Sequence, residues 1–185
     1  GRPVAARGSA QTQAREAAYA GSVTRGVLRD LPKLRGVDYL DPNEPVMPVD
    51  LLEAEEAQGV KIEEGDILLV RTGNYKMRLD SPPARALEPM TACQVACTPL
   101  FKERGIAMLG TDTSNDFRPS HYSTIGSPLH VMCLVTLGCW LIDNANLEEL
   151  AQACAQRNRY EFMLTLAPLR LRNVTGSPVS PIALF

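Results

Sequence analysis

A chain of 185 residues, 45% hydrophobic and 22% charged, is long enough to enclose one core and reads as a single domain over 1–185. Its formal net charge of -2 gives no basic field for nucleic acid, and no apolar run reaches the roughly 18 residues that span a bilayer, which leaves a small molecule or another protein as partner. Five cysteines without a C-x-x-C pair predict a reduced, cytoplasmic chain.

The sequence opens on GRPV with no initiating Met, as a processed end or a fragment would. AQTQAREAAYAG has the residues of a helix closed by Gly21, and RGVLRDL those of a short strand stopped by Pro32. Prolines keep the next link out of helix as far as Pro48, after which 49–58 predicts a helix ending at Gly59, with acidic first turns that suit its dipole. GDILLVRTG (65–73) predicts a buried strand, and the proline-broken, charged stretch 74–89 a loop able to act as a lid. A helix over 90–105 ending at Gly105 follows, then the strand IAMLGTD, the helix PLHVMCLVTLG, the strand CWLID and the amphipathic helix NLEELAQACAQRN. YEFMLTLAPLRL and SPVSPIALF predict two closing strands. Interleaved helices and strands make the class α/β, and consecutive strands at the end predict a mixed sheet.

Three predicted strands end in polar residues, which in α/β folds face the ligand crevice. They are Arg71 with Thr72 and Gly73, the run Thr111 to Asp116, and Asp143 with Asn144. Any one of them could be a turn or a helix cap, because short polar side chains bond nearby amides. Three in one domain are expected to converge, and GTDTSNDFRPSHYSTIGSP is too long and polar for a simple turn. His130 falls in the first helical turn after Ser127 and Pro128, where the helix dipole is expected to lower its pKa and keep it neutral, fit to ligate a metal or accept a proton. Asp143 is the carboxylate placed to partner it, and the competing reading is a core histidine bonded to a carbonyl. His121 lies in a loop and is expected to be exposed. Cys93 and Cys97, at i,i+4 on the predicted helix, read as core residues, and EAEEAQGVKIEEGD as a solvated acidic face.

TRGVLRDLPKLRGVDYL, GVKIEEGDILLVRTG, LGTDTSNDFRPS, PLHVMCLVTLGCWLIDNANLEELA and EFMLTLAPLRLRNVTGSPVSPIALF occur in the order and with the wording of the cyclase family. On these blocks the chain resembles that group, which includes bacterial kynurenine formamidase and isatin hydrolase. The resemblance runs from about Thr24 to Phe185. It implies a swivelling β/β/α fold, hydrolysis of an amide, lactam or N-formyl bond with zinc or manganese, and assembly into homodimers or tetramers. The family signature His-x-Gly-Thr-His-x-Asp-x-x-x-His, which supplies most metal ligands, is not found in the 185 residues, whose only histidines are His121 and His130. The chain is therefore expected to lack the segment that precedes GRPV in the family.

The resemblance carries His130 over as the family's later metal-site histidine. Asp143 stands near the family's Glu, with a shorter side chain and a one-residue shift. On this basis His130 and Asp143 are the expected metal ligands, His130 assists proton transfer, Arg71 or Asn115 orients the substrate, and Asp112 and Ser114 help bind it. Two functions follow: a metal-dependent hydrolase, or a non-catalytic fragment serving as a binding or assembly module.

Overall fold

Four short segments carrying branched aliphatics, three of them apolar runs of five residues or fewer, form the parallel part of a six-stranded sheet. They are β1 (Ser22–Asp30), β2 (Ile67–Arg71), β3 (Met108–Thr111) and β4 (Trp140–Ile142). The computed structural model describes residues 21–80, 89–171 and 174–185, so the helix expected over 10–20 lies outside the described part. β5 (Glu161–Leu166) joins β1 antiparallel and β6 (Ile182–Leu184) joins β5, giving the order β4-β3-β2-β1-β5-β6. This is the mixed α/β sheet that the sequence predicts.

Register fixes which residues face which layer, since alternate strand residues point to opposite faces. Gly26 pairs with Ile67, and Ile67 in turn with Met108. Leu68, Val70 and Leu109 pack on one face against the helices α2 (Pro48–Gln58) and α4 (Thr98–Arg104) and the segment around Leu129 and Cys133. Ile67, Leu69, Met108 and Ile142 pack on the other against α6 (Glu148–Arg157) and Phe162. All five cysteines are free thiols buried in these layers.

Several expectations change. Pro32 does more than end a strand: it sits in the first turn of α1 (Leu31–Arg35), where its missing N–H costs nothing. Residues 74–80 form a helix, α3 (Asn74–Asp80), where a loop is expected, and the rest of that candidate lid, 81–88, is outside the described residues. The helix expected over 90–105 holds only in its second half. Cys93 forms a β-bridge with Val46, so tertiary pairing overrides local propensity there, and Cys97 ends a 3-10 turn (Val95–Cys97) that leads into α4. Helix α2 matches its prediction, from Pro48 in its first turn to the left-handed Gly59 cap.

The acidic run is not uniformly solvated. Glu55 is shared by Arg29 and Arg104, and buried Asp66 holds Arg25 through two 2.8 Å bonds. Arg29 is fully buried, and that burial lowers its pKa to about 10 against the pull of Glu55. The apolar stretch after His130 also departs from expectation. A single turn, α5 (Pro128–His130), passes into a π-helix over Val131–Leu137 that Gly138 caps in the left-handed conformation. Apolar periodicity cannot separate the two winding modes over seven residues, and π turns cluster near functional sites. No described helix is long and apolar enough to cross a membrane.

Candidate active site

The three polar strand ends do converge, and hydrogen bonds tie each to the next. At the end of β2, the backbone N–H and the hydroxyl of Thr72 both donate to Asp112 Oδ1, at 2.9 and 2.8 Å, while the Asn74 amide reaches the Asp112 carbonyl. At the end of β3, Thr111 and Thr113 bond through their hydroxyls at 2.9 Å. The loop after β4 closes onto this turn, with Asn144 N donating to Thr113 O at 2.7 Å and Ala145 N to Thr111 O at 2.9 Å. Asn115 completes the seam. Its backbone is left-handed at φ 62°, a conformation that Asn tolerates. Its buried side-chain amide donates to Ile142 O at 3.0 Å and to Asp143 Oδ1 at 2.6 Å.

His130 faces this seam from the start of the helical segment. Its Nδ1 lies 2.5 Å from Asp116 Oδ2, and its Nε2 lies 3.5 Å from Asp143 Oδ2. Asp116 is 1% exposed and also caps the turn, accepting from Leu129 N at 2.7 Å. Its position in the polar run gave it no more prominence than its neighbours, and sequence reasoning did not single it out. No local signal marks it, because it reaches the Leu129 N–H across thirteen positions of chain, from outside the N-cap position, which Ser127 holds.

The electrostatics reverse one expectation. The helix start does not hold His130 neutral by lowering its pKa. The hydrogen bond to Asp116, then that to Asp143, raises it to about 9. Two carboxylates within bonding reach outweigh the dipole of a short helical start, which is worth well under the energy of one charge-assisted hydrogen bond. Burial works against ionised Asp143, yet its bonds from His130 and Asn115 hold its carboxyl below the usual range.

The other expected site residues are placed differently. Arg71 lies on the α6 side of the sheet, with Nη1 on Asp30 at 2.8 Å and a two-pronged bond to Glu148 at 3.1 and 2.7 Å. Strand alternation explains the separation, since Leu68 and Val70 point toward the His130 layer and Arg71 away from it. Asp112 is fully buried and offers a substrate no surface. It fastens β2 to β3 instead, and burial raises its pKa against the Thr72 bonds. Asp112 Oδ2, Ser114 Oγ and Asn115 Oδ1 are all buried without a hydrogen bond from the described residues, and Asn115, as fully buried as Asp112, supports the Asp143 carboxylate through its amide where a substrate contact is expected of it. His121 is in an exposed loop as expected, edge-on to Phe117 at 4.9 Å.

Two donors could share one cation here. Ligands about 2.1 Å from a tetrahedral ion stand roughly 3.4 Å from each other, close to the 3.5 Å between His130 Nε2 and Asp143 Oδ2. Asp116 on the opposite ring nitrogen is the outer carboxylate that metal-bound imidazoles commonly carry. His130 and Asp143 thus fit as part of a ligand set. Among the described residues no group of three His, Cys, Asp or Glu side chains gathers as a complete one.

Comparison with known proteins follows the same lines. No curated protein matches the chain. A solved structure described as a novel cyclase is 32% identical, with a TM-score of 0.83, covering 93% of this chain and 56% of its own. Isatin hydrolase A from Labrenzia aggregata is 22% identical at a TM-score of 0.67, covering 92% and 64%. A protein from Bacillus stearothermophilus described as a predicted metal-dependent hydrolase is 18% identical at a TM-score of 0.59, covering 87% and 63%. The chain therefore spans between 56 and 64% of the length of these structures. The two below 25% identity show a shared fold alone. The Cyclase family model matches residues 5–115, more than half the sequence, and with the 32% identical structure it shows that the chain belongs to the cyclase family.

Proposed function

We propose that the chain carries part of the active site of a metal-dependent hydrolase acting on an amide, lactam or N-formyl bond of a small molecule. One observation carries this reading: the His130 imidazole is held between buried Asp116 and half-exposed Asp143, at the ends of β3 and β4, in a chain of this family. His130 Nε2 and Asp143 would hold the ion, zinc or manganese, with further ligands from outside the described residues. When bound, such an ion supplies Lewis-acid polarisation of the carbonyl and acidifies the attacking water.

The chain's own residues supply orientation and proton handling. Asn115 holds Asp143 through its amide, so that the carboxylate faces His130. Where other groups hold the ion and leave Nε2 free, that nitrogen is the atom able to accept a proton during attack and return it to the leaving nitrogen, since its single lone pair serves one role at a time. Assembly of like chains belongs to the same reading. Val23, Met163, Ile182 and Leu184 share the face of β1, β5 and β6 turned away from Phe162, and all four are exposed.

The test is a panel of lactam, N-formyl and linear amide substrates assayed with added zinc or manganese. His130→Ala is expected to lower turnover about 100-fold or more, as for loss of an acid-base or ligand group, while His121→Ala changes it little. Equal activity of the two variants would end the role given to His130. The second reading, a binding or assembly module, is favoured by the two-donor set alone. Absence of turnover on every panel member with metal present would select it.

A further inference from the structure

We infer that Asp116 is a positioning residue that fixes the ring tautomer of His130, keeping the proton on Nδ1 so that Nε2 is the atom presented to an ion or substrate. The inference rests on the reading of His130 as the working group and adds the residue that prepares it. A helix cap needs one oxygen, and Asp116 uses Oδ1 for this, accepting from Leu129 N at 2.7 Å. Its second oxygen is committed to His130, 3.4 Å from the backbone N and 2.5 Å from Nδ1. An ionised carboxylate can only accept, so the imidazole must donate from Nδ1, and in the neutral ring Nε2 is left with its lone pair.

The surroundings leave Asp116 little freedom to turn away. It is 1% exposed, and its own N–H donates to Ser114 O at 2.8 Å. Asn115 before it is held at φ 62° and tied through its side chain to β4. A cap that happened to lie near a histidine would not need both oxygens bonded to the same turn.

Asp116→Asn separates the two roles, because the Asn side-chain oxygen still accepts from Leu129 N while its NH2 turns a donor toward Nδ1. The experiment is 15N NMR of the imidazole nitrogens in the full chain, at a pH where the ring is neutral. There are only two histidines, and His130→Ala assigns the signals. In the unsubstituted chain the neutral ring is expected to carry its proton on Nδ1, and in Asp116→Asn on Nε2. The melting temperature should change by no more than a few degrees. Hydrolysis by the metal-supplemented chain should fall about 10- to 100-fold, the range for outer partners of ligating histidines.

A proton on Nε2 in the unsubstituted chain, or an unchanged tautomer in Asp116→Asn, would overturn the inference. Should Asp116→Asn fail to fold, the tautomer of the unsubstituted chain decides alone. If that tautomer is the expected one while His130→Ala leaves hydrolysis intact, the inference stands and the hydrolase reading falls.

Discussion

Raising the pH through the alkaline range should strip stability from this fold at one identifiable place. His130 has a pKa raised from 6.5 to about 9 by Asp116 and Asp143. A group whose folded pKa is raised stabilises fully below its unfolded value and loses that stabilisation as the pH climbs through the folded one. The window therefore opens above 6.5 and closes above about 9. At 1.36 kcal/mol per pKa unit the ceiling is about 3 kcal/mol. With 28% of the His130 side chain and 41% of Asp143 exposed, solvent screening brings this to about 2 kcal/mol. The assay is urea unfolding of the chelator-treated chain beside His130→Gln at several pH values across the window, reading the difference in unfolding free energy. That difference should be largest at the acid end and shrink to near zero beyond the folded pKa. A difference that stays constant, or grows with pH, would show that His130 is not held as an imidazolium between two carboxylates.

Three further outcomes follow from other parts of the structure. Gly73 stands at φ 80°, and a Cβ there would meet the backbone at Asp38 O, 2.6 Å away, and Tyr39 Cα, 2.7 Å away, so Gly73→Ala should cost about 2 to 4 kcal/mol in a denaturant melt. Gly59→Ala, also at positive φ but with nothing within 4 Å, should cost only about 1 to 2 kcal/mol, and equal losses would remove the packing argument. Arg71→Met strands the buried Asp30 carboxylate and should destabilise the chain by about 3 to 5 kcal/mol. A variant that melts normally but shows a raised KM would instead give Arg71 the substrate-orienting role expected of it from the sequence. Added zinc should bind the chain weakly, and below the folded pKa of His130 its affinity should rise about tenfold per pH unit, because a proton must leave Nε2. Stoichiometric metal retained through dialysis against a chelator would contradict this.

The sheet was legible because its strands are short apolar runs bounded by Gly and Pro, as at Gly65 and Gly73 around β2. The convergence of polar strand ends was legible for the same reason, since parallel strands put their carboxyl ends on one side. The partner of each polar residue was not. Strand alternation sends Arg71 to the α6 face and Thr72 to the other, but whether Glu148 waits there depends on how α6 docks. Cys93 belongs to a helix by pattern and to a bridge with Val46 in fact, because a pairing across 47 residues outweighs local propensity. The π winding after His130 leaves no mark in a pattern whose apolar spacing suits an α-helix equally well.

The sign of the His130 shift shows why pairwise geometry has to precede any argument about mechanism. From sequence, the visible influence on the imidazole is the helix start, which favours the neutral ring. In the fold, Asp116 lies fourteen positions before His130 and Asp143 thirteen after it, and both carboxylates reach the same ring. Each ring nitrogen thus has an anionic neighbour, and the metal-free ring is strongly basic. The same two contacts are unequal in kind. Asp116 is buried and close, with both oxygens engaged, so it stays with Nδ1 whatever happens at the other edge. Asp143 is half-exposed and stands 3.5 Å off, too far for a strong hydrogen bond and suitable for a shared cation. Nε2 and Asp143 would be the pair to hold a divalent ion once the Nε2 proton has left, and the Asp116 contact at Nδ1 is independent of that change. The high basicity of the ring and its fitness as a ligand therefore have one origin, the lone pair at Nε2 that Asp116 enriches from behind.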